Sequence, residues 1–483
     1  MPIPPRGVPR DELLRQLGSF RAGDVNWRSG RTWAYVYDPG RDAEEVIKQA
    51  YTMFLSENAL DPTAFPSTLR LENEVVAMAV AHLNGDDQVV GNFTSGGTES
   101  IILAVKAARD HARATRPHIR TPEMVLPATG HAAFQKAAHL LDVTPVIVPV
   151  DAHTFKADVD AMRRAITPNT ILLVGSAVSY AHGVVDPIHE LGQLALHHDL
   201  LLHVDACIGG FLLPYFRRLG APVPDFDLTV PGVTSISMDL HKYGFAAKGA
   251  STILYRTADL RRHQIYACSQ WTGYTVVNAT MQSTKSGGPL AAAWAALRFI
   301  GDAGYLELAR TALDATRRIV DGIAKIEGLR VLGRPEMNLV AFTSDTVSVF
   351  HVIDEMKQRG WYVQPQLAFQ NSKENIHLSV NPASAHWVDE FLADLRACVE
   401  QAKALPSGAL AQAIRQQFAG IDPATFTAAH FQEMLGMVGI GGVALPERMA
   451  GINEILNALP APLRDRLLIE YVNQLFRPQR TAG

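Results

Sequence analysis

Cysteine, net charge and long apolar runs are all scarce in this chain, and each scarcity closes off a class of protein. Only 3 cysteines occur in 483 residues. Cys207, Cys268 and Cys398 are far apart and outside any CxxC spacing, so they read as reduced thiols of a cytoplasmic protein. A formal net charge of −4 leaves no basic footprint for nucleic acid. The longest apolar candidate, Met437 to Leu445, is short and broken by glycines, so no membrane span is expected. Met1 to Arg10 is proline-rich with no apolar core, which argues against a signal peptide. Internal repeats and low-complexity segments are also missing. What is there is 47% hydrophobic and 19% charged, enough for one large core and a smaller one.

Order along the chain is informative. Apolar residues recur at helical spacing over Asp42 to Leu60 and Thr68 to Leu83. Short apolar strands then alternate with amphipathic helices. The strands fall at Gln88–Phe93, Met124–Leu126, Pro145–Val148, Thr170–Val174, Leu201–Val204, Ser235–Met238 and Ser251–Tyr255. That alternation predicts an α/β fold with a mostly parallel seven-stranded sheet covered on both faces, its ligand beyond the strand ends. After Gly304 a long helix, Tyr305 to Ile326, leads into shorter strands at Leu329–Leu332, Leu339–Phe342 and Ile376–Val380. The expected organisation is an N-terminal arm with helices (1–60), a large domain (61–304), a smaller α+β domain (305–405) and a helical extension (406–483). In the extension, Ala409–Phe418 and Leu463–Leu475 read as helices.

Chemistry concentrates at three of these strand ends. His203-Val204-Asp205-Ala206 closes an apolar run with an acid, which needs a cationic partner there. Ser235 to Gly244 ends a strand with His241-Lys242 ahead of a glycine turn. An acid and a lysine delivered to one sheet edge suit pyridoxal 5'-phosphate (PLP). The lysine forms an imine with the cofactor, and the acid pairs with the pyridinium nitrogen so that the ring acts as an electron sink. Thr94-Ser95-Gly96-Gly97-Thr98-Glu99-Ser100 lies between a strand and a helix start, where glycines and free amides can cradle a phosphate. His131 opens the next helix, either as a cap or stacked on the pyridine ring. His203 and His182 read as structural or supporting residues, and Cys207 as a small packing residue.

The ordered motifs TSGGTES, HAAFQKAA, AHGVVDP, HVDACIGGF and SISMDLHKYGFAAKG resemble the group II PLP-dependent decarboxylase superfamily, and within it the sphingosine-1-phosphate lyases. The resemblance runs from about Gly30 to Gly304. It implies the PLP-dependent transferase fold type I and a homodimer with active sites at the subunit interface. It also implies retro-aldol cleavage of a phosphorylated long-chain base to a fatty aldehyde and phosphoethanolamine. Under it, Lys242 is the imine-forming lysine, Asp205 holds the pyridinium and His131 stacks on the ring. Gly97, Thr98 and His241 hold the cofactor phosphate, with Gly287 and Gly288 reaching in from the partner. Lys248 lies near substrate, and Tyr37 and Asn58 match partner-subunit residues of the substrate channel.

Departures from the family pattern fall in the substrate site. Asp61 stands where NPLHPDIFP has a histidine, and an acid there repels a phosphate. Val276 replaces a tyrosine, and Lys285 replaces an arginine, exchanging a bidentate fork for a point charge. The competing expectation is an L-amino-acid decarboxylase whose substrate lacks the phosphate; it would need an arginine for the α-carboxylate, with Arg298, Arg334 and Arg359 available. A non-catalytic scaffold is disfavoured by the presence of Lys242, Asp205 and the phosphate loop together. No metal site is expected, and the ligand is a small or lipid-like amine.

Overall fold

The structure is a computed structural model and describes residues 3–405, 416, 430, 436 and 446–478. Its centre is a seven-stranded sheet of β1 (Val90–Thr94), β2 (Glu123–Pro127), β3 (Thr144–Val148), β4 (Thr170–Ser176), β5 (Leu201–Asp205), β6 (Val233–Asp239) and β7 (Ser251–Tyr255). Their order across the sheet is β3-β2-β4-β5-β6-β7-β1. The first five in that order run parallel, and β7 is antiparallel to both β6 and β1. Every residue of β4 and β7 is buried, as near-continuous apolar runs require when helices cover both faces. The register places Ser176 beside Asp205 and Asp205 beside Ser237, so β4, β5 and β6 end at one edge.

The long helix begins at Gly287 and reaches Ile323, with a break at Gly301, whose φ of 64° lies in the left-handed region. Sequence periodicity predicts only its second half, from Tyr305. The first half contains Ala291, Ala292, Ala293, Ala295 and Ala296, all buried, so it has no polar face to mark a helical period. Residue 304, the expected end of the large domain, therefore falls inside one kinked helix.

The smaller unit is an antiparallel sheet in the order Leu329–Val331, Leu339–Ser344, Asn375–Ser379 and Gln364–Gln366. The last strand escapes sequence reading because it is a polar edge strand containing Pro365. Residues 31–33 join this unit: Trp33 N–H donates to Tyr362 O (2.9 Å), and Ser379 N–H donates to Trp33 O (2.7 Å). Trp33 is fully buried and stacks on Phe391, 4.5 Å between ring centroids. The helix expected at Leu463–Leu475 is present as Ala461–Leu475. The helix expected at Ala409–Phe418 and the apolar run Met437–Leu445 lie outside the described residues, apart from residue 416.

Candidate active site

The strand ends of β4, β5 and β6 and the start of the helix Gly97–Thr115 enclose a cavity of about 340 Å³. Its walls include Gly97, Thr98, His131, Asp205, His241 and Lys242, six of the residues singled out by sequence. The phosphate loop is locked from behind. Ser95 N–H and Ser95 Oγ both donate to Glu99 Oε2 (2.6 and 2.7 Å), while Glu99 Oε1 accepts from Met281 N–H (2.8 Å). The amides that open the helix are thereby turned toward the cavity with its positive dipole end.

Asp205 closes β5 at 7% exposure, and its Oδ1 accepts from Cys207 N–H (3.0 Å). Lys242 follows β6, and its Nζ lies 3.0 Å from Asp239 Oδ2. Burial alone would lower the Lys242 pKa. Asp239, helped by Cys207, Tyr37 and Asp205, outweighs burial and holds the ammonium above its ordinary range. The Asp239 carboxyl is pushed up by burial and pulled down further by Lys242 and His241, so it stays ionised. His241 Nδ1 accepts from Ala250 N–H (3.2 Å), which leaves Nε2 to carry the proton 3.7 Å from Asp239 Oδ2. His131 caps the helix Ala132–Leu141, with Nδ1 accepting from Ala133 N–H (3.1 Å), and it lines the cavity.

Tyr37 comes to the site of its own chain, where the expectation put it in a partner's. The Lys248 ammonium sits 4.5 Å from the centroid of the Tyr37 ring, and that ring packs edge-on against Tyr243. Lys248 Nζ donates to His241 O (3.1 Å). Its side chain reaches solvent, yet the surrounding protein and the like charge of Lys242 lower its pKa to about 8.

The other expected residues gather elsewhere. Asn58 bridges to Ser286, Ala59 N–H donates to Lys285 O (2.8 Å), and Gly287 N–H donates to Glu57 O (2.8 Å). A Cβ on Gly287 would lie 2.7 Å from Glu57 O, so glycine is required there by packing within the chain. Gly288 faces the Tyr51 ring at a similar approach, 3.0 Å. Asp61 is exposed and holds a local turn through Thr63 N–H and Thr63 Oγ (2.8 and 2.6 Å), bonds that keep its carboxyl below the usual range. Lys285 is 8% exposed and pairs with Glu72 (2.6 Å), away from the cavity walls. Val276 lies in a short ribbon with Tyr266–Cys268. None of the three arginines weighed for a carboxylate lines the cavity. Arg298 stacks over Trp294, Arg359 pairs with Asp394 (3.0 Å), and Arg334 borders a separate groove.

Comparisons with known proteins agree with this geometry. The family model for the pyridoxal-dependent decarboxylase conserved domain matches residues 23–345. A second, for the C-terminal HTH domain of pyridoxal-dependent enzymes, matches residues 409–474. The sphingosine-1-phosphate lyase of Arabidopsis thaliana is 43% identical over 414 residues, 84% of this chain and 74% of that protein. The structure of Burkholderia pseudomallei sphingosine-1-phosphate lyase superposes with a TM-score of 0.80 at 38% identity, covering 87% of this chain and 96% of that one. The chain belongs to the sphingosine-1-phosphate lyase family, a branch of the PLP-dependent decarboxylases. A glutamate decarboxylase from Lactobacillus brevis, at 20% identity and a TM-score of 0.74, shares the fold.

As a member of this lyase family the protein is a PLP-dependent enzyme, and the residues present fit that cofactor. A Cβ on Gly97 would lie 2.7 Å from Cys207 Sγ and 2.9 Å from both Asp239 oxygens, so only glycine lets the helix start approach this closely. Ser176 Oγ is buried at the cavity wall without a hydrogen-bond partner. The cavity volume is within the range of roughly 300–1,000 Å³ usual for small-ligand sites. His203 is fully buried beneath the site, bonded through Nδ1 to Ser235 Oγ (2.9 Å) and through Nε2 to Ser237 Oγ (3.2 Å). Cys207 lines the cavity, and its Sγ donates to Ser237 Oγ (3.2 Å). Sequence reasoning passed over Tyr180 and Asp239. Tyr180 arrives on a loop, its hydroxyl donating to Gln364 Oε1 (2.6 Å), and nothing local marks it. Asp239 did carry a signal, an acid ending a buried strand in the pattern already used for Asp205.

Proposed function

We propose that the protein is a carbon–carbon lyase that cleaves a phosphorylated long-chain amino alcohol by a retro-aldol reaction, releasing a fatty aldehyde and phosphoethanolamine. The observation that carries the reading is the convergence of Lys242, Asp205 and the Gly97-Thr98 helix start on one cavity, in a chain 43% identical to a lyase of that name. PLP, once bound, supplies an electron sink for the bond being broken. The protein's residues do the rest. Asp205 offers a carboxylate for the ring nitrogen, and the helix start with Thr98 offers donors for the cofactor phosphate. His131 offers a ring wall, and Lys242 the amine that the substrate amine replaces. Tyr37 and Lys248 stand together beyond Lys242, where a hydroxyl and a cation suit the polar head of the substrate. The cation is poised to hold a phosphate below pH 8, close to its own pKa.

The working unit in this proposal is a homodimer. Asn58, Asp61, Gly287 and Gly288 form a group that does not touch the cavity of their own chain, so a second copy would bring them to its edge. The neighbouring segments expose Met53 (72%), Leu55 (66%), Trp271 (48%) and Val277 (60%), apolar surface of the kind that marks subunit contacts. A decarboxylase of a non-phosphorylated amino acid is the second reading, supported by Asp61. Against it, no arginine among the described residues lines the cavity.

Product analysis separates the two. PLP-loaded protein is offered a phosphorylated long-chain base and, in parallel, a panel of L-amino acids. Long-chain aldehyde with phosphoethanolamine is expected from the first and nothing from the second. Carbon dioxide with an amine and no aldehyde would move the protein to the decarboxylases. Lys242→Ala is the control, and it should abolish both turnover and the visible absorption of the bound cofactor.

A further inference from the structure

Three buried acids line the cavity: Glu99 braces the phosphate loop, Asp205 is offered to the ring nitrogen, and Asp239 has no part in the reaction scheme so far. We propose that Asp239 is a catalytic residue that receives Lys242 as a free ammonium when a substrate amine takes its place on the cofactor. The inference rests on PLP dependence alone, so it stands or falls separately from the choice of substrate.

Asp239 is 2% exposed at the end of β6. Its Oδ2 faces Lys242 Nζ at 3.0 Å and His241 Nε2 at 3.7 Å, while Oδ1 is buried with no hydrogen-bond partner. A buried carboxylate is costly unless a cation or several donors meet it. Beyond Lys242 the carboxylate has only His241 at long range and the Ser251 hydroxyl beside it, so its charge is met chiefly by the Lys242 ammonium. Asp205 adds to this only at longer range, because its Oδ1 is turned to Cys207 N–H, two residues further along its own chain.

The consequence is a preference between two states of the lysine. When Nζ is joined to the cofactor, Asp239 loses its full ammonium partner. When Nζ is free and protonated, the pair is as seen here. In the exchange, the bond from substrate nitrogen to the cofactor carbonyl carbon forms and the bond from Nζ to that carbon breaks. With the imine nitrogen protonated before and after, the substrate ammonium gives up two protons and both end on Nζ, which leaves as an ammonium, so atoms and charge balance. Asp239 thus makes Lys242 a better leaving group and holds its N–H at the cavity wall. From there one proton can return to the product carbon.

The test needs no turnover. Holoenzyme is mixed with O-methylhydroxylamine, which displaces the lysine, and the decay of the visible cofactor band is followed. Asp239→Asn, near-isosteric and uncharged, is expected to slow displacement at least tenfold, as is Asp239→Ser. A variant that carries the band and is displaced at the wild-type rate, or faster, overturns the proposal. Folded variants that fail to retain the cofactor also overturn it, since Asp239 would then be serving the joined state. Loss of the native fold in both variants would do the same, by making the pair a structural ion pair.

Discussion

Lys285 offers a sharp test of how this site is assembled. Its ammonium lies 2.6 Å from Glu72 Oε2 and 3.2 Å from Phe93 O, and both Lys285 and Glu72 are 8% exposed. The other Glu72 oxygen accepts from Asn92 Nδ2 (3.1 Å) and Phe93 N–H (3.0 Å). Phe93 leads directly into the phosphate loop, and Lys285 leads into Gly287 and Gly288, so one ion pair braces both segments. Lys285→Met keeps most of the length of the side chain and removes the charge. Breaking a buried pair by removing one partner costs about 3–5 kcal/mol. The lower part of that range is expected, because two N–H donors still face the stranded carboxylate. Glu72→Gln/Lys285→Met removes both charges and keeps one acceptor, so most of the loss should be recovered, leaving about 1–2 kcal/mol for one imperfect hydrogen bond. Urea unfolding of the three proteins measures these differences, and steady-state kinetics at saturating PLP measures KM. A Lys285→Met protein with the wild-type unfolding midpoint and a raised KM would refute the reasoning and return Lys285 to the substrate site.

Two further outcomes depend on protonation. Lys248 carries its charge below about pH 8 and loses it above. The KM for a phosphorylated substrate is therefore expected to climb above that pH, and Lys248→Arg should move the rise to higher pH; a pH-independent KM would remove Lys248 from phosphate binding. His182, His203 and His377 are buried neutral, with pKa values lowered to about 4 by burial. An unfolded histidine titrates near about 6.5, so between pH 6.5 and 4 the unfolded chain binds more protons than the folded one, and stability falls as pH drops through that window. The slope is up to about 1.4 kcal/mol per pH unit for each histidine, readable as a falling urea midpoint from pH 7 to pH 5. His182 and His377 reach across the two sheets, to Ser372 Oγ (3.0 Å) and Tyr180 O (2.9 Å), so acid should loosen that junction early.

Much of the large sheet was legible because its strands are buried on both faces, and burial leaves apolar runs bounded by turn residues. All seven predicted strands overlap observed ones. The residues that line the cavity were legible for a related reason: a polar or charged side chain closing an apolar strand stands out against the run before it. Elements whose polarity ran against their role were harder. The helix half from Gly287 to Gly301 is too apolar to show a period, and Gln364–Gln366 is too polar to look like a strand. Lys285 illustrates a different limit. Its motif places it beside substrate, but its partner Glu72 is over 200 residues earlier in the chain, and only the folded structure shows that the two meet.

The family departures and the strand-end residues occupy different parts of the molecule, and this bears on how the enzyme could change its substrate. Asp205, His241 and Lys242 sit at the ends of β5 and β6, whose register is fixed by pairing on both sides, so their relative positions cannot drift without breaking the sheet. Asp61 and Val276 sit on an exposed turn and a short surface ribbon, where substitution costs the fold little. Cofactor chemistry is therefore tied to the core, whereas Asp61 and Val276 can vary almost independently of it; Lys285, buried against Glu72, is the departure that cannot. In the proposed dimer the separation becomes physical, because one copy supplies the cavity and the other its rim. A change in which substrate is accepted would then appear first at Asp61 and Val276. Asp205, held between two paired strands, would stay in place.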